Sequence, residues 1–140
     1  MAGFSDFFEN KVLDFIWGAQ SFTMSGTVYV GLSTATITDA TTGITVTEPP
    51  TSNTAYARVS VTNNLSNFPA ATVGTKQNAN AVNFPTATGN WGNCTDFFFS
   101  DGAAVGVGSV IAFGVLTTPK TISSGDSASF ATNAITITLD

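Results

Sequence analysis

Nine carboxylates and a single thiol are the groups best placed to act as acid, base or nucleophile, because the chain contains no histidine. Losing histidine removes the usual general base and the commonest metal ligand together. A glycosidase needs two carboxylates about 5–10 Å apart across a cleft. The one pair worth naming is Asp96 and Asp101, which flank Phe97-Phe98-Phe99. Asp101 precedes Gly102, a pairing that turn formation explains, and Asp96 is expected beyond the other end of the run. Cys94 has no histidine to activate it and reads as a small buried hydrophobe. Asp39 and Glu48 are too sparse for a calcium loop. Gly106-Val-Gly108 lacks the third glycine and the following helix of a phosphate-binding loop. These residues point to a protein that is not an enzyme and carries no metal or cofactor.

The charge balance narrows the partners. The net charge is −5 and the isoelectric point near 4.2. Lys11, Arg58, Lys76 and Lys120 are scattered and cannot line a phosphate-tracking groove, so nucleic acid is not an expected partner. No stretch approaches the roughly 20 apolar residues of a membrane span. The opening Met-Ala-Gly-Phe-Ser-Asp lacks a basic start and an apolar core, so synthesis in a cytoplasm is expected.

The elements that would hold such residues are mostly strands. The 140 residues favour one domain over 1–140. Ser5 can cap a helix whose first turn carries Asp6 and Glu9. Phe4, Phe7, Phe8, Val12, Phe15 and Ile16 fall on one side at helical spacing, and Gly18 follows as a stop. The spacing predicts a helix over about 5–17, with Leu13 and Trp17 off the apolar stripe. Trp17 then either folds back over the core or, with Leu13, serves a neighbouring subunit.

From Thr27 the period changes to two, giving a strand over 27–33. Residues 34–50 read as a surface excursion with a short strand at 44–48 before Pro49-Pro50. Residues 56–62 alternate again; Arg58 within them either pairs with an acid or crosses a subunit boundary. Residues 63–80 read as a long loop, and 80–84 as a short strand. Trp91 then sits on a Gly/Asn turn, where it either caps the core or stacks on a sugar ring. The Phe97–Phe99 run, bounded by breakers, reads as the central buried strand. Further strands are expected at 109–117, 127–131 and 134–139, separated by a turn over 118–126 with a possible strand at 120–122. The helix followed by strands from about 27 to 139 indicates a mainly β fold: an antiparallel sandwich of jelly-roll or Greek-key type with one N-terminal helix.

Several stretches together resemble a family of small β-proteins of tailed bacteriophages, whose members are labelled tail fibre or head decoration proteins. They are Met1-Ala-Gly-Phe-Ser-Asp-Phe-Phe-Glu-Asn-Lys-Val-Leu-Asp14, Thr27-Val-Tyr-Val-Gly-Leu-Ser33 and Tyr56-Ala-Arg-Val-Ser-Val-Thr62. Asn83-Phe-Pro-Thr-Ala-Thr-Gly-Asn-Trp-Gly92, Gly114-Val-Leu-Thr-Thr-Pro-Lys-Thr-Ile-Ser-Ser-Gly-Asp126 and Ala134-Ile-Thr-Ile-Thr-Leu139 complete the set. The resemblance implies a virion structural protein without catalysis. Its expected role is a capsid decoration (cement) protein, bound as a homotrimer to the major capsid protein on the capsid exterior. The alternative is a tail-fibre or adsorption tip that contacts a host receptor or glycan. Phe4, Leu13, Trp17 and Arg58 are the candidate subunit or capsid contacts, and Trp91 the candidate glycan contact under the alternative.

Overall fold

The computed structural model describes residues 2–139. The chain is mainly β with one helix near its N-terminus, as the change of period predicts. The elements are β1 (Ala2–Phe4), α1 (Asp6–Trp17), β2 (Thr27–Ser33), β3 (Val59–Thr62) and β4 (Thr75–Gln77). They continue as β5 (Val82–Asn83), β6 (Gly92–Ser100), β7 (Val110–Ile122), β8 (Ser129–Phe130) and β9 (Thr136–Thr138). Seven strands pair in the order β3-β2-β6-β7-β1-β9-β4, and β5 pairs with β8 in a second, two-stranded sheet. All pairings are antiparallel except β1 with β9, which meet in parallel at Ala2 and Ile137.

The Phe97-Phe98-Phe99 run occupies the middle of the larger sheet and is buried throughout. Successive side chains of a strand point to opposite faces, so an uninterrupted aromatic run needs cover on both. Phe97 and Phe99 enter the larger core with Val28, Val30, Leu32 and Ile111. There Phe130 of β8 lies 5.2 Å from the Phe97 ring, so the small sheet forms part of the cover. Phe98 points the other way and packs with Ile37, Val46 and Val110. Gly31, opposite Phe98 in the neighbouring strand, leaves the room that the ring fills. Each fully buried phenylalanine contributes about 1.5–3 kcal/mol relative to an exposed one.

The second face corrects one expectation. Residues 34–50 are not a surface excursion, because Ile37 and Val46 are buried over Phe98. No strand forms at 44–48 either. Thr42 closes a turn instead: its carbonyl accepts from the Thr45 and Val46 amides, and its hydroxyl from the Ile44 and Thr45 amides. Short hydroxyl side chains compete with sheet pairing in this way.

Three other boundaries shift. Within 63–80, residues 75–77 form β4 against β9, and the strand read at 56–62 starts only at Val59. β7 continues through the expected turn and past Pro119 to Ile122. The pairing with β6 jumps from Asp96↔Val115 to Cys94↔Lys120, so Pro119 falls where the ladder is interrupted. A proline without an amide proton is tolerated there. At the end of α1, Gly18 has φ −110°, and it is Ala19 that takes the left-handed conformation.

Candidate functional site

Two regions carry the polar and apolar groups that local structure does not consume. The first is a buried charge network behind Phe98. Arg58 and Glu48 form an ion pair, with Nη2 2.6 Å from Oε1 and both side chains fully enclosed. Arg58 Nε donates to both Glu48 oxygens at 3.1 Å. Nη1 donates to the Ser100 hydroxyl and to the Gly102 and Val107 carbonyls, and Nη2 to the Gly43 carbonyl. The Arg58 guanidinium also lies 5.1 Å from the Phe98 ring centre. The Tyr56 hydroxyl donates to Glu48 Oε2 at 2.8 Å and accepts from the Leu32 amide at 2.9 Å. Burial, reinforced by the Glu48 charge, pushes the Tyr56 phenol well above its ordinary value. This network ties residues 43–48, β6 and the 101–109 loop together. It is a structural clamp, and Arg58 is therefore not free to cross a subunit boundary.

Trp91 is also removed from the surface. It is 1% exposed, donates from Nε1 to the Thr54 carbonyl at 2.8 Å, and meets Tyr56 edge-on. A sugar ring cannot reach it, which corrects the glycan reading of this residue. Asp96 and Asp101 do not form a catalytic pair. Asp96 is buried and accepts from the Ile37 amide at 3.1 Å, while Asp101 accepts from the Ser109 amide in the connecting loop. Cys94 is fully buried, and burial pushes its thiol up to about 11, so it stays protonated and inert near neutral pH. No group of three or more metal-ligating side chains occurs among the described residues.

The second region is α1. Its start is anchored firmly: the Ser5 hydroxyl accepts from the Phe8 amide and donates to the Val110 carbonyl. The Ser5 amide donates to the Ile111 carbonyl, and the Asp6 amide to the Asp39 carbonyl. Phe8 then packs on Phe4 and Phe22 with ring centres 4.8 and 5.7 Å apart. Phe4 is half-buried against the core by the same packing. Beyond Val12 the helix leaves the body, and none of its twelve residues is buried. Leu13 is 53% exposed, Phe15 56%, Ile16 54% and Trp17 82%. Phe15 and Ile16 belong to the stripe expected to face the core, so helical spacing found the apolar face but not what covers it. A helix apolar on both sides is ordinarily enclosed. Leu13 and Trp17 therefore join Phe15 and Ile16 in one exposed apolar end, the reverse of Trp17 folding back over the core.

A family model described as podophage GP4 fiber I protein gp80 matches residues 3–138. The chain belongs to that family. It is accordingly a bacteriophage virion structural protein of a fibre family, which the phage resemblance of its sequence implies. No curated protein matches the chain. In this gp80-family chain the buried clamp ties the fold together, and the end of α1 is an exposed apolar surface.

Proposed function

We propose that this chain is a non-enzymatic component of a podophage fibre, assembled as a homotrimer through the exposed end of α1. The family match over residues 3–138 carries the fibre reading. The exposure of Leu13, Phe15, Ile16 and Trp17 supports the assembly reading. Their uncovered surface is on the order of 500 Å² if each side chain offers roughly 150–250 Å² when fully exposed. That is a substantial part of the roughly 800 Å² per partner that a stable interface uses. Covering it with identical helices of sister chains removes apolar surface that a solitary chain leaves in water.

Copy number separates this role from capsid decoration. Quantitative mass spectrometry of purified virions should find far fewer copies of this chain than of the major capsid protein. Near-equal copies would replace the fibre reading with decoration of the capsid exterior, and absence from virions would end both. Native mass spectrometry tests the assembly surface. The wild-type chain should appear as a trimer, and the Leu13→Asp, Trp17→Ser double variant as a monomer. Unchanged mass in the variant would remove α1 from the interface.

A further inference from the structure

A cavity of about 400 Å³ opens at the end of the sheet away from the helix anchor. The β6–β7 register fixes this placement. Ser100 pairs with Val110, beside the carbonyl that holds Ser5, whereas Cys94 pairs with Lys120 at the cavity. Six residues of β6 separate Cys94 from Ser100, about 20 Å at strand rise, and the extra residues of β7 lie in the irregularity between Val115 and Lys120. The cavity thus lies toward the far end of β7 from the residues that anchor the start of α1.

The lining divides by chemistry. Phe84, Leu116 and Phe130 give an apolar floor, with the buried Cys94 thiol beneath it. Lys120, Asp126 and Ser127 stand among the polar lining. Asp126 uses Oδ2 to accept from the Ser123 amide at 2.8 Å, and Oδ1 has no protein donor among the described residues. Lys120 forms no ion pair among the described residues. The site therefore offers an ammonium donor, a carboxylate acceptor and a hydroxyl that does both, above an aromatic and aliphatic floor. A pyranose matches that arrangement, because its hydroxyls both donate and accept while its C–H face is apolar. The volume lies within the range of small-molecule sites and admits one or two sugar rings.

We propose that this cavity is a carbohydrate-binding subsite for one terminal sugar unit of a surface glycan. The proposal deepens the fibre reading, on which it rests: a fibre that meets a cell surface would use such a site to engage it.

Saturation-transfer NMR on the purified full chain tests it, with methyl glycosides of glucose, galactose, mannose, rhamnose and N-acetylglucosamine as probes at millimolar concentration. At least one probe should receive saturation at its ring C–H protons. Ser127→Trp, which fills the mouth, should abolish the transfer, and Lys120→Ala should weaken affinity about tenfold or more, as the loss of a charged hydrogen bond does. Circular dichroism and the urea midpoint verify that both variants fold. Absence of transfer from all five probes, or transfer that survives in folded Ser127→Trp, overturns the proposal. Virion copy number tests the fibre reading and NMR tests the cavity, so the two fail separately.

Discussion

Replacing Arg58 by Met is the sharpest test of the clamp behind Phe98. The wild-type guanidinium satisfies Glu48, Ser100 and three backbone carbonyls from residues 43, 102 and 107. Arg58→Met keeps much of the side-chain volume but leaves a fully enclosed carboxylate with the Tyr56 hydroxyl as its remaining donor. Removing one partner of a buried ion pair costs about 3–5 kcal/mol. Losing the guanidinium over Phe98 adds about 0.5–2 kcal/mol. The expected loss is thus about 3.5–7 kcal/mol, a large part of the roughly 5–15 kcal/mol that holds a typical domain.

Urea unfolding at fixed protein concentration measures this through the emission of Trp91, which is enclosed in the fold while Trp17 is exposed. The midpoint should fall with little change in slope. The double variant Arg58→Met, Glu48→Gln should be more stable than the sum of the two single losses by about 1 kcal/mol or more, because it removes both charges together. A loss under about 1 kcal/mol for Arg58→Met, the range of an exposed ion pair, would refute the clamp. Additivity of the two single losses would refute the coupling.

Two further outcomes follow from the core. Gly31→Ala drives a methyl group into the Phe98 ring, so it should lower stability by about 1–3 kcal/mol in the same urea assay, with no effect if the ring can move aside. Cys94 links stability to alkaline pH: its thiol titrates near 9 when unfolded and near 11 when folded. Below 9 both states hold the proton; above 9 the unfolded state releases it first, so stability falls as pH rises toward 11. The stability gap between wild type and Cys94→Ala, followed by urea unfolding from pH 8 to 11, should move in favour of the variant by about 1.4 kcal/mol per pH unit above 9. A gap independent of pH would show that the thiol is not enclosed.

Much of this architecture is written locally. The period-two stretch over 27–33 becomes β2 with the expected boundaries, and Ser5 caps α1 where the sequence places it. Three consecutive phenylalanines announce a strand buried on both faces, because neither face of that strand can be left in water. The missing histidine and scattered bases limit the chemistry before any fold is considered.

Tertiary structure decides what covers each apolar face and which polar groups meet. Residues 34–50 carry only isolated hydrophobes, so nothing local reveals that Ile37 and Val46 close over Phe98. Arg58 and Glu48 are ten positions apart in chain but share one enclosed site, since the segment leading into β3 and the preceding loop converge there. Trp91 looks available on its Gly/Asn turn, yet the turn folds its ring inward against Tyr56. The stripe on α1 reads the same whether it meets its own sheet or another chain. Periodicity reports that a face shuns water; only packing determines which surface relieves it, and here the protein's own body stops short of Leu13, Phe15, Ile16 and Trp17.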